Sequence, residues 1–406
     1  MEDLHIFMPP QVERILERLN EKGFEAYAVG GCVRDSLLGR QPEDWDITTS
    51  ARPEQVKALF RRTIDTGILH GTVTVMMDGA GYEVTTYRID GEYADGRHPK
   101  QVVFTPDLLE DLKRRDFTIN AMAYSHKTGI VDAFGGAGDL KGRLIRCVGN
   151  PLERFEEDAL RLLRAIRFSA QLGFSIEEET CDAIIRIAPN LLKVSRERIQ
   201  AELTKLLQSG CPEKIKTVYE MGISPYISQA FSEVPWQSFQ IPDRLSSEKY
   251  VRWGAFLRLA GSDKAVQVLK DLKMDNDTIS RVKVLAVWAD REVQAEEKEI
   301  RRSMSRMLPE VWDTLVELNG YGEKVRRLTE EIRERGDCLD LKHLAVNGQD
   351  LIAAGIRPGK EMGTALEELL EWVLEDPKRN HKDILLEYFL KQKLAGNQEA
   401  WYNELR

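Results

Sequence analysis

Asp44 and Asp46 are the residues of this sequence whose type and spacing best suit chemistry. Residues two apart on a β-strand project from the same face, so the two carboxylates would lie about 7 Å apart along the chain, with Trp45 on the opposite face. Carboxylate oxygens suit Mg²⁺, and a pair of such ions can bind an attacking hydroxyl and a leaving pyrophosphate. A third carboxylate, Glu83, lies on a predicted strand that could pair beside the first. An exposed strand glutamate is the alternative.

Two glycines, Gly30 and Gly31, follow a short predicted strand over Ala26–Val29 and precede a helix predicted to begin near Cys32. Glycine lets the backbone approach a triphosphate closely, and the first N–H groups of the helix would point at the anion. A Gly-Gly turn or an Asp-x-Asp pair alone is more often an ordinary turn or a solvated strand end. Together, in this order and close in sequence, they predict nucleotidyl transfer.

Residues 157–168 carry acidic and basic side chains at a spacing of three. If this segment is one helix, Asp158, Arg161 and Arg164 share a broad face. A carboxylate only accepts hydrogen bonds and a guanidinium only donates them, so the pair can read a base edge that presents an amino donor beside a ring-nitrogen acceptor. Cytosine and adenine present this pattern, and uracil and guanine present the reverse. An ion-paired surface helix is the simpler alternative.

Two further segments could serve a nucleotide. Arg114 and Arg115 precede an apolar, helix-like segment, residues 116–123, and could reach phosphate or ribose. A basic capping cluster is the alternative there. Residues 90–99 are polar and contain glycine, which predicts a mobile loop near the sheet.

These residues need a scaffold, and the hydrophobic pattern predicts a small sheet with helices beside it. Apolar residues at helical spacing predict a helix over residues 12–22. Alternating β-branched residues predict strands between Trp45 and Tyr87, with a turn at Asp78-Gly79. After about Lys141 the strand pattern fades. Helices are predicted over residues 158–172, 177–188 and 195–207 and over further segments up to residue 394. The fold class is therefore predicted as α+β, a small mixed or antiparallel sheet followed by an all-α remainder.

Composition limits the location and the partners of the protein. No apolar run is long enough to span a bilayer, which predicts that the chain does not enter a membrane. The first ten residues lack the basic start and apolar core of a signal peptide, which predicts a cytoplasmic protein. Five widely spaced cysteines without a C-x-x-C pair predict reduced thiols. The net charge of −9 is unfavourable for binding phosphates, so basic patches must act locally.

The motifs between about Tyr27 and Leu207 resemble those of the class II transfer-RNA nucleotidyltransferases, the bacterial CCA-adding enzymes within the polymerase-β-like superfamily, and in particular bacillus-type members. The resemblance includes the Gly-Gly/Arg-Asp start, the Asp-x-Asp pair, the Arg-Arg-Asp-Phe-Thr block and the Glu-Asp-x-x-Arg segment. It implies template-independent addition of C, C and A to the 3′ end of tRNA. The substrates would be CTP and ATP, the leaving group pyrophosphate and the cofactor Mg²⁺.

The resemblance also implies roles for individual residues. Asp44 and Asp46 would bind the catalytic Mg²⁺ ions, beside Glu83 as a further catalytic carboxylate. The nucleotide-binding residues would be Gly30, Gly31, Arg34, Arg115, Asp158, Arg161, Arg164 and Arg167. In the family the Glu-Asp-x-x-Arg helix acts as a protein template, with Asp158 and Arg161 pairing with the base and Arg164 and Arg167 supporting them. Residues 90–99 resemble the family's flexible loop, which is associated with the switch from C to A addition.

Family members have four regions, which would fall here at residues 1–148 (catalytic head), 149–210 (neck with the base-reading helix), 211–330 (body) and 331–406 (tail). The helical body and tail would hold the acceptor and T arms of tRNA. This requires basic side chains of the last region to face the RNA, such as Lys360, Lys378, Arg379 and Lys382.

Several alternatives stay open from the sequence. A bacterial poly(A) polymerase would share the head and add many adenylates. Specialists that add only CC or only A would share nearly all motifs. An inactive RNA-binding paralogue would keep the fold for stability, although its expected signature, loss of a carboxylate, is not seen at Asp44 or Asp46. A homodimer is one alternative for the oligomeric state.

Overall fold

A computed structural model of the chain describes residues 6–91, 102–242 and 244–392. They divide into two compact units, the first built mainly from the chain up to Gln240 and the second mainly from the chain after Ser280. Within these described ranges every helix is too short or too polar to cross a membrane.

The strands belong mainly to a mixed sheet in the first unit. Their bounds are β1 Ala26–Val29, β2 Ile47–Thr49, β3 Thr63–Gly67, β4 Thr72–Met77, β5 Ala80–Thr86, β6 Arg88–Asp90, β7 Val102–Phe104, β8 Ala123–Ser125, β9 Gly129–Val131, β10 Leu144–Ile145 and β11 Ser175–Ile176. The seven-stranded sheet has the order β3-β4-β5-β2-β1-β8-β9, in which β2 and β5 are parallel and the other neighbours antiparallel. The predicted small mixed sheet is confirmed.

Helices surround this sheet and form the rest of both units. Their bounds are α1 Pro10–Glu21, α2 Gly31–Leu37, α3 Pro53–Leu59, α4 Leu108–Lys113, α5 Gly136–Gly142, α6 Pro151–Glu157, α7 Leu160–Leu172, α8 Glu178–Ile187, α9 Arg196–Leu207, α10 Lys216–Glu220, α11 Ser224–Ile227, α12 Gln229–Ser232, α13 Lys249–Leu257, α14 Ser262–Asp271, α15 Asn276–Val287, α16 Glu297–Met304, α17 Pro309–Leu318, α18 Glu323–Arg335, α19 Gly348–Ala353 and α20 Lys360–Glu375. The predicted α+β fold with a helical remainder is confirmed.

The centre of the sheet is β1, which pairs with β2 on one side and with β8 on the other. Its residues Ala26, Ala28 and Val29 are almost fully buried. Helix α1 packs beside it through an apolar stripe at helical spacing, and the four buried residues of that stripe are Val12, Ile15, Leu16 and Leu19. Burial of these side chains stabilises the sheet and fixes the chain that leaves β1 at Gly30.

Residues 116–123 do not form the predicted helix-like segment. A short 3₁₀ turn over Thr118–Asn120 leads directly into β8. The apolar side chains of Phe117, Ile119 and Met122 are all fully buried. Because the segment is surrounded by protein on every side, its apolar residues follow neither a helical nor a strand period, and periodicity cannot identify its structure.

The hairpin between β4 and β5 has the predicted turn. Asp78 and Gly79 have φ angles of 51° and 85°, the left-handed values that a two-residue hairpin of type I′ requires. The predicted mobile loop over residues 90–99 begins at Asp90, the last residue of β6. Residues 92–101 lie outside the described part of the chain, so that prediction stays a prediction.

The second unit has its own helical core. Leu351, Leu369, Val373 and Leu385 are buried together. The buried guanidinium of Arg301 donates to the carbonyl oxygens of Leu374 and Glu375 at 2.8 and 3.0 Å. A helix ends with unpaired carbonyl groups, so this arginine satisfies the end of α20 from inside the unit.

Candidate active site

The turn after β1 is built around Gly30, which has a φ of 81° and a ψ of −126°. A side chain is strained in this conformation, and a Cβ atom there would also lie 2.9 Å from Nη1 of Arg115. Gly31 then begins α2. Two features therefore require glycine at position 30: the backbone angles and the close approach of the Arg115 guanidinium.

Asp44 and Asp46 lie just ahead of β2 and not on it, because the strand begins at Ile47. Val29 nevertheless donates its N–H to the carbonyl oxygen of Asp46 at 3.0 Å, which continues the ladder by one residue. Trp45 is 8% exposed, so it packs inward as predicted. The assignment of the pair to a strand is thus wrong by one to three residues, while the inward position of Trp45 is confirmed.

Glu83 lies beside this pair through the parallel register of β2 and β5. Ile47 is the partner of Val84, so the residues one step earlier, Asp46 and Glu83, occupy matching positions. Glu83 is exposed on β5, as the alternative of an exposed strand glutamate predicted. Its partial burial still raises its pKa, and the charges of Asp46 and Asp44 raise it further. The three carboxylates are therefore within electrostatic reach of one another.

The pKa of Asp46 is also raised. Burial is the main cause, the charge of Asp44 adds to it, and the Arg115 guanidinium acts in the opposite direction. A raised carboxylate pKa means that the ionised form is disfavoured in the protein alone. A bound cation would reverse this effect, because it stabilises the ionised carboxylates.

The carboxylates of this site are oxygen ligands, which Mg²⁺ prefers. Across the described ranges, no three side chains from His, Cys, Asp and Glu are grouped closely enough to hold a metal ion by themselves. Mg²⁺, however, usually retains several waters and binds one or two carboxylates together with substrate phosphates. Asp44 and Asp46, which line a cavity of nucleotide size, satisfy that weaker requirement. The residues present fit an ion that binds together with a nucleotide.

Arg34 is fixed on the same side of the sheet as the glycine turn. Its Nη1 donates to Oδ1 of Asn120 at 2.7 Å, and its Nη2 pairs with Asp35 at 2.8 Å. Its guanidinium also lies 5.2 Å from the ring centroid of Phe168. Such contacts fix the rotamer of a long side chain before a ligand binds, which lowers the entropy lost on binding.

The ring of Phe168 also contacts the guanidiniums of Arg164 and Arg167, which lie 5.4 and 3.9 Å from its centroid. Each of these arginines also pairs with a buried carboxylate. Arg164 Nη2 lies 2.6 Å from Oδ2 of Asp116, and Arg167 Nε lies 2.5 Å from Oε2 of Glu202. Arg164 and Arg167 are therefore held in place by Asp116, ahead of β8, and by Glu202 on α9.

Asp158 does not continue a helix into Arg161. Helix α6 ends at Glu157, and Asp158 has extended backbone angles (φ −149°, ψ 100°) before α7. Its Oδ1 accepts from the N–H of Leu160 at 3.1 Å, and its Oδ2 accepts from Arg198 at 2.6 Å. The prediction of one helix through Asp158 is wrong, since aspartate is favoured at the start of a helix and disfavoured inside one.

Arg161 lies in the first turn of α7. It donates to Glu157 at 2.5 Å and to the carbonyl oxygen of Arg154 at 3.0 Å. Both Asp158 and Arg161 are thus engaged within the protein, so pairing with a base would require each to exchange partners. Their base-reading roles stay predictions.

A cavity of about 750 Å³ unites most of the predicted residues. Its lining includes Gly30, Gly31, Arg34, Asp44, Asp46, Arg115, Arg164 and Arg167. The predicted residues that do not line it are Glu83, Asp158 and Arg161. The cavity is large enough for a nucleotide. Its wall contains both carboxylates, such as those of Asp44 and Asp46, and guanidiniums, such as those of Arg164 and Arg167.

The lining also contains residues that the sequence did not single out for a role. They are Cys32, Asp35, Arg40, Gln41, Glu43, Asp116, Asn120, Phe168, Gln171, Leu172, Lys205, Ser209 and Gly210. Asp116 lies within the Arg-Arg-Asp-Phe-Thr block and Asn120 follows it closely, so the motif could have indicated that both belong to the site. No sequence pattern could have indicated Lys205 or Phe168, because each is one of many similar residues on an amphipathic helix.

The Asp-x-Asp pair lies ahead of β2, the glycine turn follows β1, and one cavity with several arginines in its wall includes both. This combination is that of a nucleotidyltransferase of the polymerase-β-like class. Comparison with protein-family models agrees with this assignment. Residues 26–146 match the model for the poly A polymerase head domain, and residues 245–389 match a model for tRNA nucleotidyltransferase domain 2.

Comparison with named proteins identifies the family within this class. The chain is 40% identical to the CCA-adding enzyme of Limosilactobacillus fermentum, over 92% of this chain and 94% of that protein. It is 38% identical to the CCA-adding enzyme of Streptococcus mutans, over 93% and 96%. The crystal structure of the Bacillus stearothermophilus CCA-adding enzyme in complex with CTP is similar, with a TM-score of 0.80, 31% identity and coverage of 97% of this chain and all of that one. The chain belongs to the family of CCA-adding enzymes.

The buried pair of Asp116 and Arg164 provides a test of how the site is held together. Burial alone would raise the pKa of Asp116, but the charges of Arg164 and Arg161 and hydrogen bonds from Arg164 and Asn120 outweigh it and lower the pKa to about 2. A carboxylate whose pKa is depressed in the folded state contributes stability above its unfolded pKa of about 4, and this is lost as the pH falls towards 2.

We expect Asp116→Asn to lower the free energy of unfolding by about 3 kcal/mol at pH 7, because Arg164 loses its buried partner. The difference from the wild type should shrink as the pH falls from 4 towards 2. Urea titrations across this pH range would measure it. Asp78→Asn is the matched control, since Asp78 pairs with Arg14 where both side chains are 51% exposed, and the expected loss is below about 1 kcal/mol. Equal losses in the two variants would contradict the prediction.

Proposed function

We propose that this protein adds C, C and A in succession to the 3′ end of tRNA, using CTP and ATP and releasing pyrophosphate. One observation carries the proposal: Asp44, Asp46, Gly30 and Arg115 line a single cavity. The similarity to CCA-adding enzymes along almost the whole chain supports the choice of substrate.

The triphosphate would bind at Gly30 and Gly31, where the backbone can approach it closely. Arg34 and Arg115 would donate to its oxygens, because planar guanidiniums suit bidentate contact with phosphate. Arg115 supports this role with a buried Nε that has no hydrogen-bond partner within the described residues. Its guanidinium also lies beside Gly30, at the floor that the phosphates would occupy.

Transfer would take place beside Asp44, Asp46 and Glu83. The 3′-hydroxyl oxygen of the RNA forms a bond to the α-phosphorus, the bond from that phosphorus to the bridging oxygen breaks, and pyrophosphate leaves with the electron pair. The hydroxyl proton passes to water. Bound Mg²⁺ would supply Lewis-acid stabilisation of the attacking and leaving oxygens. The carboxylates orient these partners and provide the negative charge that retains the ions.

Base selection would fall to Asp158 and Arg161, supported by Arg164 and Arg167. An acceptor beside a donor matches the amino group and ring nitrogen of cytosine or adenine. Arg164 and Arg167 already line the cavity, which supports a location for the base beyond the phosphates. Asp158 would exchange its contact with Arg198 for the base and keep its contact with Leu160.

The four regions of the family would apply here with boundaries near residues 148, 210 and 330. The body and tail would hold the acceptor and T arms of tRNA. The match of residues 245–389 to a tRNA nucleotidyltransferase domain supports this assignment of the second half.

The decisive assay supplies Mg²⁺ and a tRNA lacking its 3′-terminal CCA, with CTP alone, ATP alone, both, or UTP and GTP. We expect two residues to be added with CTP, three with CTP and ATP, and none with UTP or GTP, read at single-nucleotide resolution. A long adenylate ladder would indicate a poly(A) polymerase, and a stop at CC a specialist. No product at all would indicate an inactive RNA-binding protein.

Asp44→Ala should abolish nucleotide incorporation and leave RNA binding, measured by gel shift, within about threefold of the wild type. The reason is that the carboxylate acts on the reacting atoms and not on the bulk of the RNA. Asp65→Ala is the control, because Asp65 is a carboxylate of the same unit in a surface pair with Lys57 at 2.8 Å. Incorporation by Asp44→Ala near the wild-type rate would defeat the proposed metal ligand.

Asp158→Asn should reduce the preference for CTP over UTP by about tenfold to a hundredfold, because the amide can present a donor where cytosine also presents one. Asparagine can still accept from the N–H of Leu160, but Arg198 loses its charged partner, so urea unfolding of the variant is measured in parallel. Asp107→Asn is the matched control, since Asp107 caps α4 by accepting from the N–H of Leu109 at 2.8 Å. Ratios of kcat/KM for the two nucleotides test this, and an unchanged ratio would argue against base reading by Asp158.

A further inference from the structure

Asp111, on α4, is a buried carboxylate that the proposed reaction does not use, and its side chain is 0% exposed. Its Oδ1 accepts from Nε and Nη2 of Arg114 at 2.9 and 2.8 Å and from the N–H of Arg88 at 3.3 Å. Its Oδ2 accepts from the hydroxyl of Thr48 at 3.0 Å. Protein donors therefore occupy both oxygens, which makes Asp111 unsuitable as a metal ligand.

The Oδ2 atom of Asp111 also faces Arg115. Nη2 of Arg115 lies 3.7 Å from it, which is the distance of an ion pair and not of a direct hydrogen bond. Nη1 of the same guanidinium lies at the glycine turn, 2.9 Å from the point that a Cβ atom of residue 30 would occupy. The guanidinium of Arg115 therefore lies between Asp111 and the proposed floor of the triphosphate site.

Arg115 depends on Asp111 for its direction. Burial lowers the pKa of Arg115, the charge of Asp111 is the largest opposing influence, and the charge of Asp46 acts in the same sense as that of Asp111. The Nε atom of Arg115 has no hydrogen-bond partner within the described residues, so that atom does not fix the side chain. The ion pair with Asp111 is consequently a main constraint on where the guanidinium points.

Thr48 connects Asp111 to the strand that follows the Asp44/Asp46 pair. It lies two residues after Asp46, so the two side chains project from the same face of β2 and its one-residue extension. Through the hydroxyl of Thr48, Asp111 contacts the face of the sheet that bears Asp46. One buried carboxylate thus relates the position of Arg115 to that of a proposed metal ligand.

We propose that Asp111 is a positioning residue for nucleotide binding, which holds the Arg115 guanidinium at the glycine turn in a fixed relation to Asp46. The inference rests on the proposed function, in which Arg115 donates to the triphosphate. Asp111 does not line the nucleotide cavity, so it acts through Arg115 and not on the nucleotide itself. A misdirected guanidinium would keep its charge but lose the bidentate geometry that suits phosphate.

The first test is Asp111→Asn, which keeps the size of the side chain and removes its charge. We expect the Kd for CTP, from calorimetric titration with Mg²⁺ present, and the KM for CTP to rise by about tenfold to a hundredfold, the range for one hydrogen bond to a charged group. The kcat should stay within about threefold, because the contact with the triphosphate exists before and during transfer.

Asp337→Asn is the matched control for this variant. Asp337 is 4% exposed and pairs with Arg301 and Arg335 at 3.2 and 3.1 Å, and it does not line the nucleotide cavity. Both variants should lose stability in urea, because each leaves arginines without a buried partner. Only Asp111→Asn should bind CTP more weakly. An equal rise of the Kd for CTP in both variants would show a general loss of structure and would overturn the inference.

The second test asks whether Asp111 acts through Arg115. In an Arg115→Ala background, Asp111→Asn should change the Kd for CTP by less than about twofold, because the guanidinium that it would misdirect is gone. The same loss in both backgrounds overturns the inference. Tighter CTP binding by Asp111→Asn also overturns it, since the carboxylate would then compete with the triphosphate for Arg115.

Asp111→Glu replaces Asp111→Asn if the latter does not fold. It keeps the charge and moves the carboxylate by one methylene, so the Kd for CTP should still rise by about threefold to tenfold. An unchanged Kd in a folded variant of either kind overturns the inference. The Kd is measured without turnover, so a wild type that binds CTP but adds no nucleotide to tRNA would refute the proposed function and leave the role of Asp111 testable.

Discussion

The ion pair between the buried Asp116 and Arg164 joins the segment that leads into β8 to helix α7, and both residues line the cavity. Arginines that line one cavity repel one another, and a buried charge is tolerated only when it is paired. Three pairs meet this requirement here, namely Asp111 with Arg115, Asp116 with Arg164, and Glu202 with Arg167. In each pair the carboxylate side chain is less than 10% exposed, so each of these guanidiniums has a buried carboxylate as its partner. These three guanidiniums at the cavity wall are therefore held in place by protein partners.

A net charge of −9 does not by itself prevent a chain from binding phosphates. Attraction for phosphate depends on the local field, and that field is set by which charges face the solvent. Much of the positive charge in the second unit is engaged within it: Lys382 lies 2.5 Å from Asp350, and Arg379 lies 3.1 Å from Glu375. In the first unit, Arg115, Arg164 and Arg167 at the wall of the cavity of about 750 Å³ are likewise paired with carboxylates.

Periodicity predicted the elements that bury one face, and it failed where burial is complete or where a cap intervenes. Helix α1 and the hairpin turn at Asp78-Gly79 follow directly from the spacing of their residues. The segment around Ile119 is buried on all sides, so it has no period to detect. The break at Asp158 coincides with its side chain accepting from the N–H of Leu160, where α7 begins. The contact of Arg34 with Asn120 joins residues 86 apart, and such long-range pairs leave no trace in a single sequence.

Unfavourable electrostatic interactions are concentrated at the carboxylates of Asp44, Asp46 and Glu83. Burial and mutual repulsion raise the pKa of Asp46 and of Glu83, which means that the folded protein disfavours their ionised forms. Neutral residues at positions 46 and 83 would not carry this electrostatic penalty. Carboxylates kept close together in this way are typical of a site that acts on an external partner. A divalent cation that binds the folded state alone would stabilise it by mass action. The repulsion and the proposed chemistry thus have the same origin, the register of β2 and β5 that continues to Asp46 and Glu83.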